Sequence, residues 1–574
     1  MQVGCNTTYV AYIKRIKKGN SVYLNRYESY REDGKVKTRH LEYLGVEGDE
    51  RGVPKPKKPR KTKTKPMYPR RSQRAGDVKL LWAIAEKIGI PQTIDQVCVG
   101  FENASGPTPG KLLTAWAINH VLDPASASKV AQWAEPTILP DLLDITPSDL
   151  KRENLYAALD AVCSKDICTG MNIDLIAHIE DVLFQKWQQE NPPKSGEKET
   201  VAYDVTTVMT YSETCPLAGR GYNAKKSNVN QYNLGMLVSK SSRYPIAHMV
   251  FPGNYQAKTT LSTLYSRIVD LGMGPGTLVW DRGNTSAKSV EEIEALGWEI
   301  ICGVPKISTD VKNILKNTDV PLIPSYFVPS KNSDVYALQK EAKLYGKDRT
   351  VTVYVNTQKR LNEIKRKNMA CVAIEYELSE LQERCACLTR QELDEELADI
   401  LGNQDKFFKV EVSGSDGKLE MKWEYNNESI ETSQATEGKY LLYATDPNLS
   451  HREVVREYME KDFVEKTFRD LKSEEDMMPV RHRLEPRVRA YFFMISVAHR
   501  IRTALRYYIA ETPKKEQTYD MDELLHVLRR VEFVQFSEGG EAAYWYLNLL
   551  KKTVNQVGAM GFNDLFEERM HSEM

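Results

Sequence analysis

Apolar residues recur at two different spacings along the chain, and each spacing predicts its own architecture. Between residues 77 and 197, segments such as TPGKLLTAWAINHVL and NIDLIAHIEDVLFQKWQQE carry apolar side chains three and four residues apart, the spacing of amphipathic helices. Between residues 198 and 306, the runs VAYDVTTVMTYS, YNLGMLVS, YPIAHMVF, GTLVW and EIICGV predict strands. Helices are predicted over AKTTLSTLYSRIVDLG and over SAKSVEEIEALG, where Ser286 is the expected N-cap. Three strands in series, followed by alternation, predict a mixed sheet with helices on its faces.

The N-terminal part of the chain predicts a different organisation. Residues 1–47 are typical of a small β unit, because the runs Ser21–Tyr27 and Lys35–Leu44 flank a Glu-Asp-Gly turn. Residues 48–76 are rich in proline and contain eleven Lys or Arg between Arg51 and Arg74, without an acidic residue. Such a segment cannot bury a core, so it is predicted to be an extended, mobile linker.

After residue 306 the alternation of helices and strands is interrupted. Residues 307–445 mix a charged helix over about 374–401 with the strand-like runs KFFKVEVS, KLEMKWEY and KYLLYATD, which predicts a β-rich insertion. Helical spacing returns with REVVREYMEKDFVEKTFRDLKS and is predicted to continue to the end, through residues 446–510 and a C-terminal helical region over 511–574.

These segments together predict a multidomain protein of the α+β or α/β class. Its core is a mixed sheet with the strand order of ribonuclease-H-like folds, assembled from residues 198–306 and 446–510. An all-helical domain over 77–197 and the small β unit precede that core, and the β-rich insertion interrupts it. At 574 residues the chain is too long for a single hydrophobic core, which agrees with this division.

Composition excludes several classes of protein. With 41% hydrophobic and 28% charged residues, the chain is typical of ordinary water-soluble proteins. No run approaches the roughly 18 apolar residues of a membrane span, and the N-terminus has no apolar signal core, so a cytoplasmic protein is expected. The nine cysteines show neither a disulfide framework nor paired zinc-ligand spacing. Net charge is zero, yet the cations of residues 51–74 favour contact with DNA phosphates over a plain solvated spacer.

Two acidic residues lie where strands can carry a metal site. Asp204 lies inside the first strand of the sheet, and Asp281 ends the fourth strand, before an Arg-Gly turn. If these strands are neighbours, about 4.8 Å apart, both carboxylates can reach one divalent cation of the kind that prefers hard oxygen ligands. The alternatives are an aspartate on a solvated strand face and an aspartate that serves only as a turn residue.

A third acidic residue belongs to a patterned helix near residue 465. Tyr458, Lys461, Glu465 and Lys472 are 3, 4 and 7 residues apart, and at about 100° per residue they fall within an arc of roughly 60°, beside an apolar stripe. Charged side chains beside a buried seam are costly unless they are paired or used. The alternative is a simple Lys461–Glu465 pair, four residues apart on a solvated helix.

The segment Y-x2-K-x3-E-x6-K from Tyr458 to Lys472 resembles the Y-x2-R/K-x3-E-x6-K signature of DDE transposases from prokaryotic insertion sequences. YDVTT, GYNAKKSNVNQYNLGMLV, FPGNYQAKTTL, the strand ending in D-R-G, PVRHRLEPRVRAYFFMISVAHRI and the N-terminal YREDGKVKTRHLEYLG also resemble segments of that family. The resemblance covers nearly the whole chain. It departs at Lys461, where arginine is more usual; lysine keeps the charge but loses the bidentate geometry of a guanidinium.

The resemblance implies that Asp204, Asp281 and Glu465 are the DDE triad of a DNA transposase. In that family the triad holds two Mg²⁺ ions, for which Mn²⁺ can substitute, and one site cuts the element ends and joins their 3′-hydroxyls to target DNA. The candidate DNA contacts are Tyr458, Lys461, Lys472, Arg282 and Lys306. For Arg282, an ion pair within the fold is an equal alternative, and Lys306 is the weaker candidate.

The resemblance also implies partners. The helical domain over 77–197 is expected to bind the inverted repeats of the element ends, and target DNA is the second expected partner. A homodimer is expected because two ends must be held together in a synaptic complex, and the protein is expected in the cytoplasm with the nucleoid, without a membrane partner. Two alternatives stay open: a catalytically inactive DNA-binding protein derived from a transposase, and a ribonuclease-H-like nuclease that cuts without joining.

Overall fold

The computed structural model describes residues 10–32, 34–47, 67–98, 106–165, 172–192, 198–221, 229–256, 259–329, 332–538 and 541–567. The chain divides into two compact units. The smaller unit contains the N-terminal strands, and the larger one contains Arg71–Gln535 and Tyr544–His571. None of the described helices is both long and apolar enough to cross a membrane.

The smaller unit contains an antiparallel sheet of three strands in the order β1-β2-β3. The strands are β1 (Val10–Lys18), β2 (Ser21–Glu32) and β3 (Lys35–Val46). The two predicted runs are confirmed as β2 and β3, while β1 was not predicted, because four of the nine residues of VAYIKRIKK are spread-out cations that hide its alternation. Gly34 has a φ of 75° in the turn between β2 and β3, a conformation that glycine adopts at no steric cost.

The larger unit begins with a block of helices, as the sequence predicts. They are α1 (Gly76–Lys87), α2 (Ile90–Val97), α3 (Pro109–Leu122), α4 (Val130–Ala134), α5 (Leu139–Leu143), α6 (Arg152–Val162) and α7 (Ile176–Glu190). The prediction of helices alone was incomplete, since a short ribbon, β5 (Cys163–Lys165) paired with β6 (Asn172–Asp174), lies between α6 and α7.

The predicted linker before this block ends in a strand, β4 (Met67–Arg74). Its partner is a C-terminal strand far away in sequence, so no local pattern could predict the pairing. The rest of that linker, residues 48–66, lies outside the described residues.

A large mixed sheet forms the centre of the larger unit. Its ten strands are β7 (Thr200–Met209), β8 (Gly219–Arg220), β9 (Asn230–Ser239), β10 (Pro245–Pro252), β11 (Thr277–Trp280), β12 (Glu299–Val304), β13 (Pro324–Val328), β14 (Ser333–Leu344), β15 (Lys347–Asn356) and β18 (Lys439–Ala444). The order is β10-β9-β7-β11-β12-β18-β15-β14-β13, with β8 beside β9. Strands β7, β11 and β12 run parallel, and their other neighbours run antiparallel.

Every strand and helix predicted between residues 198 and 306 is present. The helices are α8 (Leu261–Asp270) and α9 (Ala287–Ala295), followed by α10 (Thr309–Lys316). Ser286 caps α9, as predicted, by accepting a hydrogen bond from the backbone N–H of Ser289. These local predictions succeed because each strand is a continuous apolar run bounded by polar turns.

Most of the described strands of the predicted insertion join the central sheet, and only β16 and β17 form a small sheet of their own. Strands β13, β14, β15 and β18 extend the central sheet, and β18 pairs with both β12 and β15. A separate lobe remains, made of α11 (Thr357–Arg384), α12 (Arg390–Leu401), β16 (Phe408–Ser413), β17 (Glu420–Tyr425) and α13 (Asn427–Thr436). It has its own small core, which includes Ile374, Leu378 and Phe407.

The C-terminal part departs from the prediction of unbroken helix. It contains α14 (His451–Glu460), α15 (Asp462–Ser473), α16 (Glu485–Glu511), α17 (Met521–Leu528), β19 (Glu532–Glu538), β20 (Glu541–Leu547) and α18 (Lys551–Ala559). Strand β19 lies between β20 and β4 in a separate sheet, so the prediction of helix to the end was wrong. The two glycines after Glu538, flanked by alternating apolar residues, are a hairpin signal that the helical interpretation overlooked.

Helix α16 joins the helical block to the central sheet. It packs against α3, α6 and β10, and Phe493 and Arg500 on it are fully buried. The Arg500 guanidinium donates to Glu180 of α7 at 2.7 Å, and Glu180 also contacts the His248 ring of β10 at 2.8 Å. Breaking a buried pair of this kind by removing one partner is strongly destabilising, so the cluster holds three elements together.

Candidate active site

The two predicted strand carboxylates lie on neighbouring strands. Strands β7 and β11 are parallel, and Trp280 lies opposite Tyr203. Asp281 and Asp204 are the next residues, so they occupy adjacent positions on strands that are about 4.8 Å apart. Tyr203 and Trp280, which directly precede the two aspartates, have buried side chains.

A turn fixed by buried hydrogen bonds follows Asp281. The Asp281 carboxylate accepts from the backbone N–H of Arg282 at 2.8 Å. The Trp280 indole donates to the Thr285 hydroxyl at 2.9 Å, and that hydroxyl donates to the Gly303 carbonyl at 2.6 Å. Asp281 therefore has a structural turn role as well as a place in the carboxylate pair.

The helix that was predicted over residues 452–473 is two helices. Helix α14 ends at Glu460, α15 begins at Asp462, and Lys461 lies between them with φ −58° and ψ −9°. The prediction of one continuous helix was wrong. The arc of roughly 60° calculated for one helix therefore does not apply to this segment. Tyr458 and Lys461 nevertheless contact Asp281, and Lys472 contacts Thr206, two residues after Asp204.

Tyr458 is buried and holds one of the strand carboxylates. Its ring packs near Tyr354 in a second hydrophobic core, and its hydroxyl donates to Asp281 Oδ1 at 2.6 Å. Gly303 of β12 makes this contact possible, because a Cβ there would lie 2.6 Å from the Tyr458 hydroxyl and 3.1 Å from the Arg282 Cβ. The sequence gives no sign of this requirement, since Gly303 is one residue within an ordinary apolar strand.

Lys461 is a buried cation shared by the strand and the helix. It is 8% exposed, and its ammonium lies 3.9 Å from Asp281 Oδ2 and 3.7 Å from Glu465 Oε1. The Lys461–Glu465 pair that the alternative interpretation predicted is present. Lys461 also contacts Asp281, so its contacts extend from the helix to the sheet. Lys461 therefore compensates carboxylates that come from two different elements.

The two aspartates differ in their acidity. Burial raises the pKa of Asp204 to about 6, together with the nearby charges of Asp281 and Glu465, against the opposing charge of Lys461. Burial also opposes ionisation of Asp281, but Lys461 and the Tyr458 hydroxyl hold the pKa of Asp281 below its ordinary value. Neighbouring groups thus split two like residues into a stronger and a weaker acid.

Helix α15 places a residue on the site at each end. Glu465 lies in its first turn, and about half of the Glu465 side chain is exposed. Near the other end, Lys472 Nζ donates to the Thr206 hydroxyl at 2.6 Å, two residues after Asp204 on β7. The helix therefore lies along β7 and brings a carboxylate and a cation to the same edge of the sheet.

Asp204, Asp281 and Glu465 offer carboxylate oxygens, the ligands that a hard divalent cation prefers. The Lys461 ammonium contacts Asp281 and Glu465, and the charges of Asp281 and Glu465 add to burial in raising the pKa of Asp204. In the described part of the chain, no three His, Cys, Asp or Glu side chains lie close enough together to hold a metal ion. The three carboxylates are therefore neighbours that this structure does not gather into one metal site.

Arg282 and Lys306 lie beside the triad, in a cluster around Tyr440 that also contains Glu363, 3.8 Å from the Lys306 ammonium. They and Lys359 are 5.5, 4.3 and 5.3 Å from the centre of the Tyr440 ring. Lys306 also donates to the Thr436 carbonyl at 3.2 Å, and burial lowers its pKa. Sequence reasoning missed Lys359 and Tyr440, because the insertion brings them to this place from distant parts of the chain.

Comparisons with known proteins identify the family of this chain. A family model described as "Transposase DDE domain" matches residues 195–501, which is more than half of the 574-residue chain. No curated protein matches the sequence. A solved structure that matches is the cryo-EM structure of a piggyBac transposase synaptic complex with hairpin DNA, with 11% identity, a TM-score of 0.36, and coverage of 79% of this chain and 78% of that one.

Proposed function

This chain belongs to the family of DDE-domain transposases, and we propose that it is an active enzyme that cleaves the ends of a mobile DNA element and joins their 3′-hydroxyls to target DNA. One observation carries the proposal: Asp204 on β7 lies beside Asp281, which directly follows the parallel strand β11, and Lys461, where α14 and α15 meet, lies 3.9 Å from Asp281. We further propose that the element is of the prokaryotic insertion-sequence type and that the core, residues 198–306 with 446–510, is ribonuclease-H-like.

In this proposal Asp204, Asp281 and Glu465 together hold divalent metal, two Mg²⁺ ions with Mn²⁺ as a substitute. When bound, the metal supplies the positive charge that activates a water or a DNA 3′-hydroxyl and stabilises the leaving oxygen. Carboxylate oxygens are the ligands that such cations prefer, and the burial of Asp204 beside two further carboxylates, which raises its pKa, supports the assignment.

The remaining side chains prepare the site for a phosphate. Tyr458, which the sequence suggested as a phosphate contact, is a positioning residue in this proposal, since its hydroxyl donates to Asp281 and its ring is buried. Lys461 and Lys472 are fixed cations beside the carboxylates, where the charge of a scissile phosphate would lie. Arg282 and Lys306 on the Tyr440 ring extend this positive region towards the flanking DNA.

The partners follow from the reaction. We propose that the helical block over 77–197 binds the inverted repeats of the element ends and that two copies of the chain act together in a synaptic complex. The insertion over 307–445 contributes to the site through Tyr440 and Lys359. The roles of the helical block and of two copies were expected from the sequence, whereas the contribution of the insertion was not, and DNA binding by separate variants of each part tests all three.

Strand transfer with pre-cut element ends tests the proposed reaction. Asp281→Asn should abolish both cleavage and joining, because the carboxylate is removed while the strand that carries it is unchanged. Asp462→Asn is the matched control, since this aspartate lies on the same helix as Glu465 but pairs with Lys466, at 3.4 Å. An Asp281→Asn protein that still excised a marked element would contradict the assignment, and cleavage without joining by the unaltered protein would favour a nuclease.

A further inference from the structure

The three-stranded sheet of the smaller unit has two different faces. Alternation along paired strands places Tyr12 of β1, Tyr23 and Tyr27 of β2 and Tyr43 of β3 on the same face, which we call the tyrosine face. Tyr12 is 39% exposed and Tyr43 is 54% exposed. The four tyrosines form one large aromatic surface on an open sheet face. A large apolar surface exposed in one place commonly marks an interaction site.

The tyrosine face carries positive charge without any negative charge. Lys14 and Lys18 of β1 and Arg31 of β2 point to this side. Among the described residues of β1, β2 and β3, every Asp or Glu lies on the opposite face. A surface of cations, aromatic rings and no carboxylates is complementary to a polyanion.

The opposite face of the same sheet carries both acidic and basic side chains. Most of its cations are in ion pairs, which are Arg15–Glu47, Arg26–Glu42, Arg39–Glu28 and Lys37–Glu32. Such pairs satisfy both charges locally and leave little net attraction for a partner. The two faces belong to the same sheet, and they differ because the described acidic residues all lie on one of them.

The rings of the tyrosine face are held in a row across the three strands. Tyr12 stacks on Tyr27, with ring centres 6.2 Å apart and planes at 24°, and Tyr27 meets the edge of the His40 ring at 5.2 Å. The Lys14 ammonium lies 5.5 Å from the centre of the Tyr27 ring. These contacts order the rings before any partner arrives, which reduces the entropy cost of binding.

We propose that the tyrosine face is a binding site for duplex DNA. The two longer strands have 12 residues each, so the face is about 40 Å long and about 10 Å wide at the usual strand spacing. These dimensions match about one turn of B-DNA, roughly 34 Å, and a major groove of roughly 12 Å. In this arrangement the cations contact phosphates, while the tyrosine rings pack against sugars and base edges.

The sequence after this sheet is acidic at first, with Glu47, Asp49 and Glu50, and then has eleven Lys or Arg and no acid between Arg51 and Arg74. The proposal therefore rests on the tyrosine face itself. The proposed site is independent of the DDE triad, so it extends the proposed function without depending on it.

Fluorescence anisotropy of the full chain tests the site, with a labelled duplex of about 30 base pairs and EDTA present to prevent cleavage. The double variant Lys14→Gln with Lys18→Gln should bind about tenfold more weakly and lower the slope of log K against log salt by about 2, since each phosphate contact contributes about 0.9. Arg15→Gln with Lys17→Gln is the matched control, because it removes the same charge from the same strand on the opposite face. That control should change the affinity less than about twofold, as expected for cations that touch no phosphate.

A second variant separates the rings from the charges. Tyr12→Ala with Tyr43→Ala should weaken binding about threefold to tenfold with the salt slope unchanged, because tyrosine rings carry no charge. Circular dichroism of each variant verifies that the sheet remains folded. The binding assay contains EDTA and requires no cleavage, so a failure here and a failure of the proposed catalysis are distinguishable.

Three results would overturn the proposal. Equal weakening by the two charge variants would mean general electrostatic attraction rather than a site on one face. Tighter binding of the same labelled strand alone, lost in the tyrosine variant, would assign the face to single-stranded DNA. A change in sedimentation of the tyrosine variants without a change in duplex affinity would assign it to a second copy of the chain.

Discussion

The carboxylates of the candidate site come from two regions that are held in different ways. Asp204 and Asp281 lie on adjacent parallel strands, next to fully packed neighbours. Glu465 lies on α15, close to the helix break at Lys461, with about half of its side chain exposed. The spacing of paired strands is fixed by backbone hydrogen bonds, whereas a residue near an open helix end has more freedom. The strand pair therefore sets the position of the site, and the helix completes it.

The largest effect is expected on the strand side. Asp204→Asn should lower strand transfer by about 10³-fold or more, a size typical of losing a group that acts only in the transition state. The same variant should raise the melting temperature, because it removes a carboxylate whose ionisation is opposed by burial and by two like charges.

Glu465→Gln is the comparison that sharpens this prediction. It should also abolish strand transfer, but it should leave the melting temperature nearly unchanged, since its side chain is about half exposed. Calorimetry and a strand-transfer assay measure the two quantities. A rise in melting temperature for both variants would contradict the difference between the two regions.

The next effect is expected where the regions touch. Gly303→Ala would place a methyl group 2.6 Å from the Tyr458 hydroxyl, so overpacking should cost about 1–3 kcal/mol of stability. Strand transfer should fall about tenfold to a hundredfold, since a catalytic group displaced by about 1 Å can lose that much rate.

A double-mutant cycle checks the cause. Tyr458→Phe removes the oxygen that clashes, so Gly303→Ala should cost less stability in that background than in the unaltered chain. Urea unfolding of the four proteins gives the coupling energy. Additive costs would mean that the Tyr458 hydroxyl is not what makes glycine necessary at this position.

A smaller effect is expected from pH. Since the pKa of Asp204 is raised to about 6, Mn²⁺ affinity measured by electron paramagnetic resonance should fall by up to about tenfold per pH unit below that value. The folded state holds this proton more tightly than the unfolded chain does. The associated stability is therefore complete below the ordinary value of 3.8 and is lost as pH rises to about 6. Asp204→Asn should remove both dependences, and a flat affinity profile in the unaltered protein would contradict the raised pKa.

The smallest effect is expected from the cation between the regions. Lys461→Gln removes an ammonium that lies within 4 Å of two carboxylates, so Mn²⁺ should bind a few-fold more tightly, roughly 1 kcal/mol in a partly solvated site. Lys466→Gln, one turn along the same helix, pairs with Asp462 instead and should leave Mn²⁺ affinity unchanged. Equal behaviour of the two variants would mean that Lys461 does not compensate the site.

The strand side of the site could be predicted from sequence, and much of the helix side could not. Asp204 and Asp281 lie in short apolar runs whose order predicts a sheet, so local patterns are sufficient. The break at Lys461 has no glycine or proline to mark it. Lys461 contacts Asp281, about 180 residues away in sequence, and a helical wheel cannot include such a contact.

Long-range pairing explains the other differences. The lysines and arginine around Tyr440 come from three separate segments, and β4 pairs with a strand more than 450 residues later. The alternating apolar residues of β19 and β20 are visible in the sequence. The strong helical pattern of α16 led to a prediction of helix beyond the end of that element. Patterns within about 15 residues identified elements, and contacts between distant elements decided how they were joined.

Strand β18 pairs with β12, next to the strand that carries Asp281. Strand β18 can therefore join the core sheet only after the insertion between Lys306 and Lys439 has folded back onto that sheet. During synthesis, the first two carboxylates leave the ribosome well before the strand that completes their sheet and before the helix that carries the third. A polypeptide interrupted within residues 307–438 would contain Asp204 and Asp281 but would lack both β18 and the helix that carries Glu465.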